Sequence, residues 1–290
     1  MEILEFASKY HYVYDNIGGK YRIPKLDLFQ IKFFDQINSE RNTLIKKPRQ
    51  VFTTSMLATY MAWVLIYGKG DKTLVYSTNR VDICANFLRK VRLIIGNYCN
   101  DNGIEYRDLI GHRDNQRLLT MTNGNQLKGL SCSPENFVGF RIDEIVFDEA
   151  AYLGYLEETI AIILPQLSAS PKSKIIVASS TNGAEFFHKL WVGSLNGEND
   201  FNTFNIRWDD VSGRDEAWFT EMCRMFNNDQ RMIDQELLGK FITTVDNDIK
   251  RNTLQFRVDD ETYSKFCSKL VETGMNQTDY LRKILGDNLG

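Results

Sequence analysis

The sequence predicts an α/β protein: a mostly parallel sheet flanked by helices, followed by a small C-terminal module of different pattern. Three observations carry that expectation. Short apolar runs recur through the first 245 residues with helical patterns between them. One run ends abruptly in two adjacent carboxylates, Asp148 and Glu149. A polar, turn-prone stretch, Val245-Asp246-Asn247-Asp248, then separates this region from a self-contained pattern that begins at Arg251. Strands alternating with helices imply crossover units and hence parallel pairing.

In chain order, Thr43-Leu44-Ile45 reads as the first buried strand, and residues 55–67 as a long apolar helix after a polar loop. Leu74-Val75-Tyr76-Ser77 is a second strand. Val81, Ala85, Leu88, Val91 and Ile95 then mark one face of a second helix, with Arg80, Arg89, Lys90 and Arg92 largely off that face. Residues 118–121 and 127–130 are strand-like pieces around Asn123-Gly124-Asn125, a strong hairpin signal. Ile145-Val146-Phe147 and Ile175-Ile176-Val177-Ala178 complete the set of apolar runs. The expected domains are residues 1–245 and 246–290.

Composition narrows the functional classes. At 290 residues, 43% hydrophobic and 25% charged, the chain is an ordinary globular protein. A net charge of −3 gives no bulk attraction to nucleic acid or membrane, so any DNA contact must be local. Cys84, Cys99, Cys132, Cys223 and Cys267 are odd in number and contain no CxxC pair; with only His11, His112 and His188, neither a disulfide framework nor a zinc site is expected. No signal pattern or long apolar segment is present, and a cytoplasmic protein with no membrane partner is expected.

The carboxylate pair is where the chemistry starts. A strand that delivers Asp148-Glu149 at its C-terminal tip puts them where open α/β sheets bind ligands. In phosphate-handling folds the first carboxylate can hold Mg²⁺ through water and the second can polarise an attacking water. The plainer alternative is an acidic start to the next helix, which the helix dipole also favours.

Four pieces occur in a telling order: Leu26-Asp27-Leu28-Phe29-Gln30; Lys47-Pro48-Arg49-Gln50-Val51-Phe52-Thr53-Thr54; Asp148-Glu149; and Ser180-Thr181-Asn182-Gly183 directly after a strand. Together, over residues 21–241, they resemble the ATPase module of the large subunit of tailed-phage terminases, a P-loop NTPase. Ser133-Pro134-Glu135-Asn136 and Gly139, ahead of the acidic strand, belong to the same match. The resemblance implies that Gln30 lies against adenine and that the loop carrying Lys47, Arg49, Gln50, Thr53 and Thr54 wraps the phosphates. It makes Asp148 and Thr54 the Mg²⁺ ligands, Glu149 the catalytic acid with Arg49 beside it, and Ser180, Thr181 and Asn182 the coupling motif. ATP and Mg²⁺ are the implied cofactors.

The phosphate loop departs from that pattern. A P-loop uses Gly where the backbone curls around phosphate and Lys beside it to meet the β/γ charge. Here Phe52 and Thr53 stand at those positions, while Thr54 keeps the metal-binding hydroxyl and Lys47, at the loop's first position, offers a displaced cation. This degenerate Walker A loop leads to an expectation of impaired hydrolysis. Only 45 residues follow the boundary, too few for the metal-dependent nuclease domain that large terminases usually carry, so no DNA cleavage is expected.

Asn252-Thr253-Leu254-Gln255-Phe256-Arg257-Val258 alternates polar and apolar residues, and two short helical patterns follow, capped by Asp259 or Asp260 and by Asn276. This order resembles the ribbon-helix-helix DNA-binding family over residues 251–286. The resemblance implies a homodimer through the strand, with Thr253, Gln255 and Arg257 facing bases and the helix start near Thr278 holding a phosphate. A small tail docked on the main domain is the alternative. Seven basic against eight acidic residues from Asp246 onward predict little non-specific DNA affinity.

The leading functional expectation is a nuclease-free, terminase-like protein of viral DNA packaging in the infected bacterial cell. Double-stranded DNA and other packaging proteins (small terminase, portal, a separate nuclease) would be its partners. A pseudo-ATPase regulator or decoy of packaging is the alternative. A helicase-like ATPase is a further one, disfavoured by the absence of a second RecA-like domain.

Overall fold

The computed structural model describes residues 1–14, 20–22, 25–40, 42–168, 172–183 and 185–242. The expected boundary at residues 245–246 and the whole C-terminal module, including Thr253, Gln255, Arg257 and Thr278, lie outside the described residues.

The elements in order are α1 (Ile3–Tyr10), β1 (Tyr12–Tyr14), β2 (Lys20–Arg22), α2 (Leu28–Ser39), β3 (Asn42–Lys46), α3 (Thr53–Tyr67), β4 (Thr73–Thr78), α4 (Val81–Asn102), α5 (Tyr106–Leu109), β5 (Ile110–Asn115), β6 (Leu118–Met121), β7 (Gln126–Ser131), β8 (Glu144–Asp148), α6 (Leu156–Ser168), β9 (Lys174–Ser179), α7 (Phe186–Leu195), β10 (Asn202–Asn205) and α8 (Glu216–Met225). The main sheet runs β10-β3-β9-β8-β4-β7-β6-β5. Its first six strands are parallel, and the β6–β7 and β5–β6 pairs are antiparallel. The α/β expectation is met.

The short apolar runs are strands because both faces of the sheet are covered. Successive residues alternate between two cores. Ile45, Tyr76, Val146 and Ile176 face α1–α4, while Leu44, Val75, Ile145, Phe147, Ile175 and Val177 face α6 and α7. α3 is apolar nearly all round and buried along most of its length, as befits a helix inside the larger core. On α4 the buried stripe is Cys84, Phe87, Leu88, Val91, Ile94 and Ile95, and the expected Val81 and Ala85 are only half-buried. The hairpin at Asn123-Gly124 closes β6 onto β7 with Leu119 opposite Leu127. Gly124 sits there at φ +86°, with an Asp71 carboxylate oxygen where a Cβ would project.

This topology positions the site. β9 lies between β3 and β8, with Lys46 opposite Ser179 and Asp148 opposite Ala178. The loops after all three strands therefore open at one edge, side by side. Among the described residues no helix is long and apolar enough to cross a membrane.

Candidate functional site

Asp148, the last residue of β8, is buried, and its carboxylate is well supplied with donors. Oδ2 accepts from Thr54 Oγ1 at 2.7 Å and from Tyr76 OH at 2.9 Å, and Oδ1 accepts from the Glu149 amide at 3.0 Å. Burial pushes the Asp148 carboxyl above its usual range, opposed by the charge of Lys47 and reinforced by Glu149. Glu149 follows in the left-handed region at φ 54°, ψ 44°, and its Oε1 takes the Lys47 ammonium at 2.8 Å.

The loop between β3 and α3 faces these acids. Lys47 is buried, and its amide donates to the Ser179 carbonyl at 3.0 Å. Gln50 and Phe52 both lie at positive φ, 59° and 60°, so a side chain is held in the conformation for which glycine is normally used. Phe52 projects outward, 44% exposed, immediately before α3. The loop is braced from outside. Arg214 donates to the Gln50 carbonyl at 2.7 Å, and Arg49 donates to Glu236 and, at 3.0 Å, to Tyr152 OH.

The third loop follows β9. Ser179 Oγ accepts the Ala151 amide at 3.0 Å, Asn182 donates to the Ala151 carbonyl at 3.3 Å, and Thr181 Oγ1 donates to the Gln235 carbonyl at 3.2 Å. Ser180 is buried beside them. The helical turn Ile233–Leu237 thus meets both the loop between β3 and α3, through Glu236, and the loop after β9, through Gln235.

Of the residues expected from sequence, Lys47, Thr54, Asp148 and Glu149 form one bonded cluster. Arg49 and Gln50 sit on the same loop, and Ser180, Thr181 and Asn182 on the adjoining one. Gln30 is not part of this cluster. Its Oε1 accepts the Asp27 amide at 2.9 Å in a helix-capping box, and its Nε2 lies 3.3 Å from His11 Nε2. Burial holds the His11 imidazole down at about 4, and so neutral. Tyr76, Tyr152, Arg214 and Glu236 were not singled out from sequence; Asp27-x-x-Gln30 was a readable capping signal.

Among the described residues several buried oxygens have no hydrogen-bond partner, Thr43, Ser77, Gln166 and Glu185 among them, and three fall on the segments just described: Thr53 Oγ1 at the start of α3, Glu149 Oε2 and Ser180 Oγ. Buried polar atoms are rarely left unpaired, and a site that awaits a polar ligand is one reason for it. Among the described residues no group of three or more His, Cys, Asp or Glu could hold a metal. Thr54 and Asp148 instead suit Mg²⁺ as nucleotide sites use it, with one or two protein oxygens and substrate phosphates.

Comparison of the whole fold gives the context. The ATPase domain of the Thermus phage P74-26 large terminase superposes with a TM-score of 0.56 at 18% identity, over 75% of this chain and 94% of that one. The fold is that of phage large-terminase ATPase domains. The HK97 bacteriophage large terminase matches with a TM-score of 0.63 at 14% identity, over 82% of this chain and 54% of that one. A large terminase from a thermophilic bacteriophage, solved in complex with ATP-γ-S, matches at 0.57 and 12% identity, over 75% and 53%. The chain therefore spans about half of these longer terminases. No protein-family model matches it.

Proposed function

We propose that this chain is a terminase-like protein of viral DNA packaging, whose nucleotide site lies between residues 47–54 and Asp148-Glu149. The observation that supports this best is the convergence of three unpartnered buried oxygens at the sheet edge where Lys47, Thr54, Asp148 and Glu149 already meet. In this reading Thr54 and Asp148 hold Mg²⁺, which when bound neutralises phosphate charge. Lys47 leaves Glu149 for the phosphates, and Glu149 is then free to take a proton from water. The helix start at α3 supplies the unpaired amides of any helix N-terminus. Ser180, Thr181 and Asn182 couple the site to movement.

Two features favour weak hydrolysis. Thr53 brings no cation, and the ion pair of Lys47 with Glu149 must be broken before either group can work. A pseudo-ATPase regulator of packaging is the second reading, favoured by Phe52 standing where a phosphate-wrapping glycine would be. The C-terminal module, residues 246–290, would bind duplex DNA as a ribbon-helix-helix homodimer through Thr253, Gln255, Arg257 and Thr278. The small terminase, portal and a separate nuclease would be further partners in packaging.

The test is binding of a fluorescent ATP-γ-S analogue with Mg²⁺, followed by phosphate release with and without duplex DNA. Saturable binding that Asp148→Ala abolishes supports the site. Release stimulated by DNA and lost in Glu149→Gln supports the motor, binding without release supports the pseudo-ATPase, and no binding overturns both.

A further inference from the structure

Tyr76 is read from sequence as one residue of an apolar run, and its ring is indeed core: it stacks on Phe87 of α4 at 3.6 Å between centroids and 6° between planes. Phenylalanine would fill that role equally well. The hydroxyl is the part that packing does not explain. It is buried on β4, reaches across to the tip of β8, and donates to Asp148 Oδ2. Among the described residues no other hydrogen bond of this hydroxyl accompanies it.

An ionised carboxylate offers about four acceptor positions, two on each oxygen. In Asp148 both positions on Oδ2 are filled, by Thr54 and Tyr76, and one on Oδ1 is filled by the Glu149 amide. One position, on Oδ1, is left. The two hydroxyls differ in what else they can do. Thr54, at the start of α3, keeps lone pairs that a cation can use while its proton remains on Asp148, whereas Tyr76 is locked by its stacked ring.

We infer that Tyr76 is a positioning residue for the divalent cation of this site: by occupying Oδ2 together with Thr54, it restricts Asp148 to a single Oδ1 acceptor for the cation's ligand shell. This rests on the nucleotide-site reading above, and it adds a residue from a strand that carries none of the sequence motifs.

The experiment compares Tyr76→Phe, which keeps the stack, with the unsubstituted full chain. In the substituted protein the Mg²⁺ concentration for half-maximal ATP-γ-S binding rises at least fivefold, while affinity at saturating Mg²⁺ changes less than twofold. A folded Tyr76→Phe with unchanged Mg²⁺ dependence overturns the inference, since a purely structural tyrosine would alter stability alone. A double-mutant cycle in urea with Asp148→Asn reads the same contact without nucleotide: the combined stability loss falls short of the sum of the single losses. Strictly additive losses overturn it. If the unsubstituted protein binds no ATP-γ-S at all, the nucleotide reading and this inference both fall, while the urea cycle still reports whether Tyr76 acts through Asp148.

Discussion

Strand β8 carries an acidic pair at each end, and the two pairs are completed in opposite ways. At its start, Asp143 Oδ2 accepts the Thr73 amide at 2.8 Å while Oδ1 pairs with Arg141. Glu144 beside it takes Lys72 at 2.6 Å and Tyr60 OH at 3.0 Å. Both residues have ordinary φ and no orphaned oxygen. At its end, Glu149 is in the left-handed region, pairs through one oxygen only, and leaves the other buried and unpartnered. The loops facing it add two more strained residues and two more orphaned hydroxyls. An acidic pair at a strand end is thus no mark of a site. Incomplete satisfaction together with backbone strain is, because structure alone gives no reason to keep either.

The sharpest way to break this comparison is to remove one acid from each end. Glu144→Ala leaves the buried Tyr60 hydroxyl and the half-buried Lys72 ammonium without their partner and is expected to destabilise the fold by about 3 kcal/mol in urea titrations. Nucleotide affinity should be unchanged. Glu149→Gln should do the reverse, altering stability by under about 1 kcal/mol because the side chain is 43% exposed, while any phosphate release drops about 100-fold. Equal stability losses at the two ends would collapse the distinction. A smaller effect tests the displaced cation. Lys47→Ala should weaken ATP-γ-S binding about tenfold, the worth of one charged hydrogen bond, and unchanged affinity would remove Lys47 from the phosphate side. The smallest concerns strain: Phe52→Gly should raise stability by about 1 kcal/mol, because glycine adopts φ 60° freely, and a loss would mean the exposed ring is held by contacts that outweigh its backbone.

Much of the fold was legible because burial on both sheet faces leaves a plain trace of short β-branched and aromatic runs, and Asn123-Gly124 fixed the hairpin. The strands at the margins were not. β10 (Asn-Thr-Phe-Asn) and β5 (Ile-Gly-His-Arg-Asp-Asn) are polar, and they exist through edge pairing that no local pattern announces. The site divides in the same way. Residues at the C-terminal tips of buried strands could be named, because the tip position follows from the strand. Their supports could not. Tyr76 looks like core, and Arg214 and Glu236 come from segments far along the chain that only the folded structure brings to the loop. Gln30 also carries a local signal: with Asp27 three residues before it, its side-chain oxygen accepts the Asp27 amide at the helix start.

The strand order has one more consequence. The strands leading into residues 47–54 and into the acidic tip are never hydrogen-bonded neighbours in the sheet; β9 separates them. Ser179 holds the spacing from both sides, its carbonyl taking the Lys47 amide and its hydroxyl the Ala151 amide. The aperture is therefore gauged at two strand widths, about 9.6 Å, by β9 and its Ser179 rather than by the charged side chains that line it. Residues on either rim can be exchanged, Phe52 and Thr53 among them, and the gap they flank keeps its width.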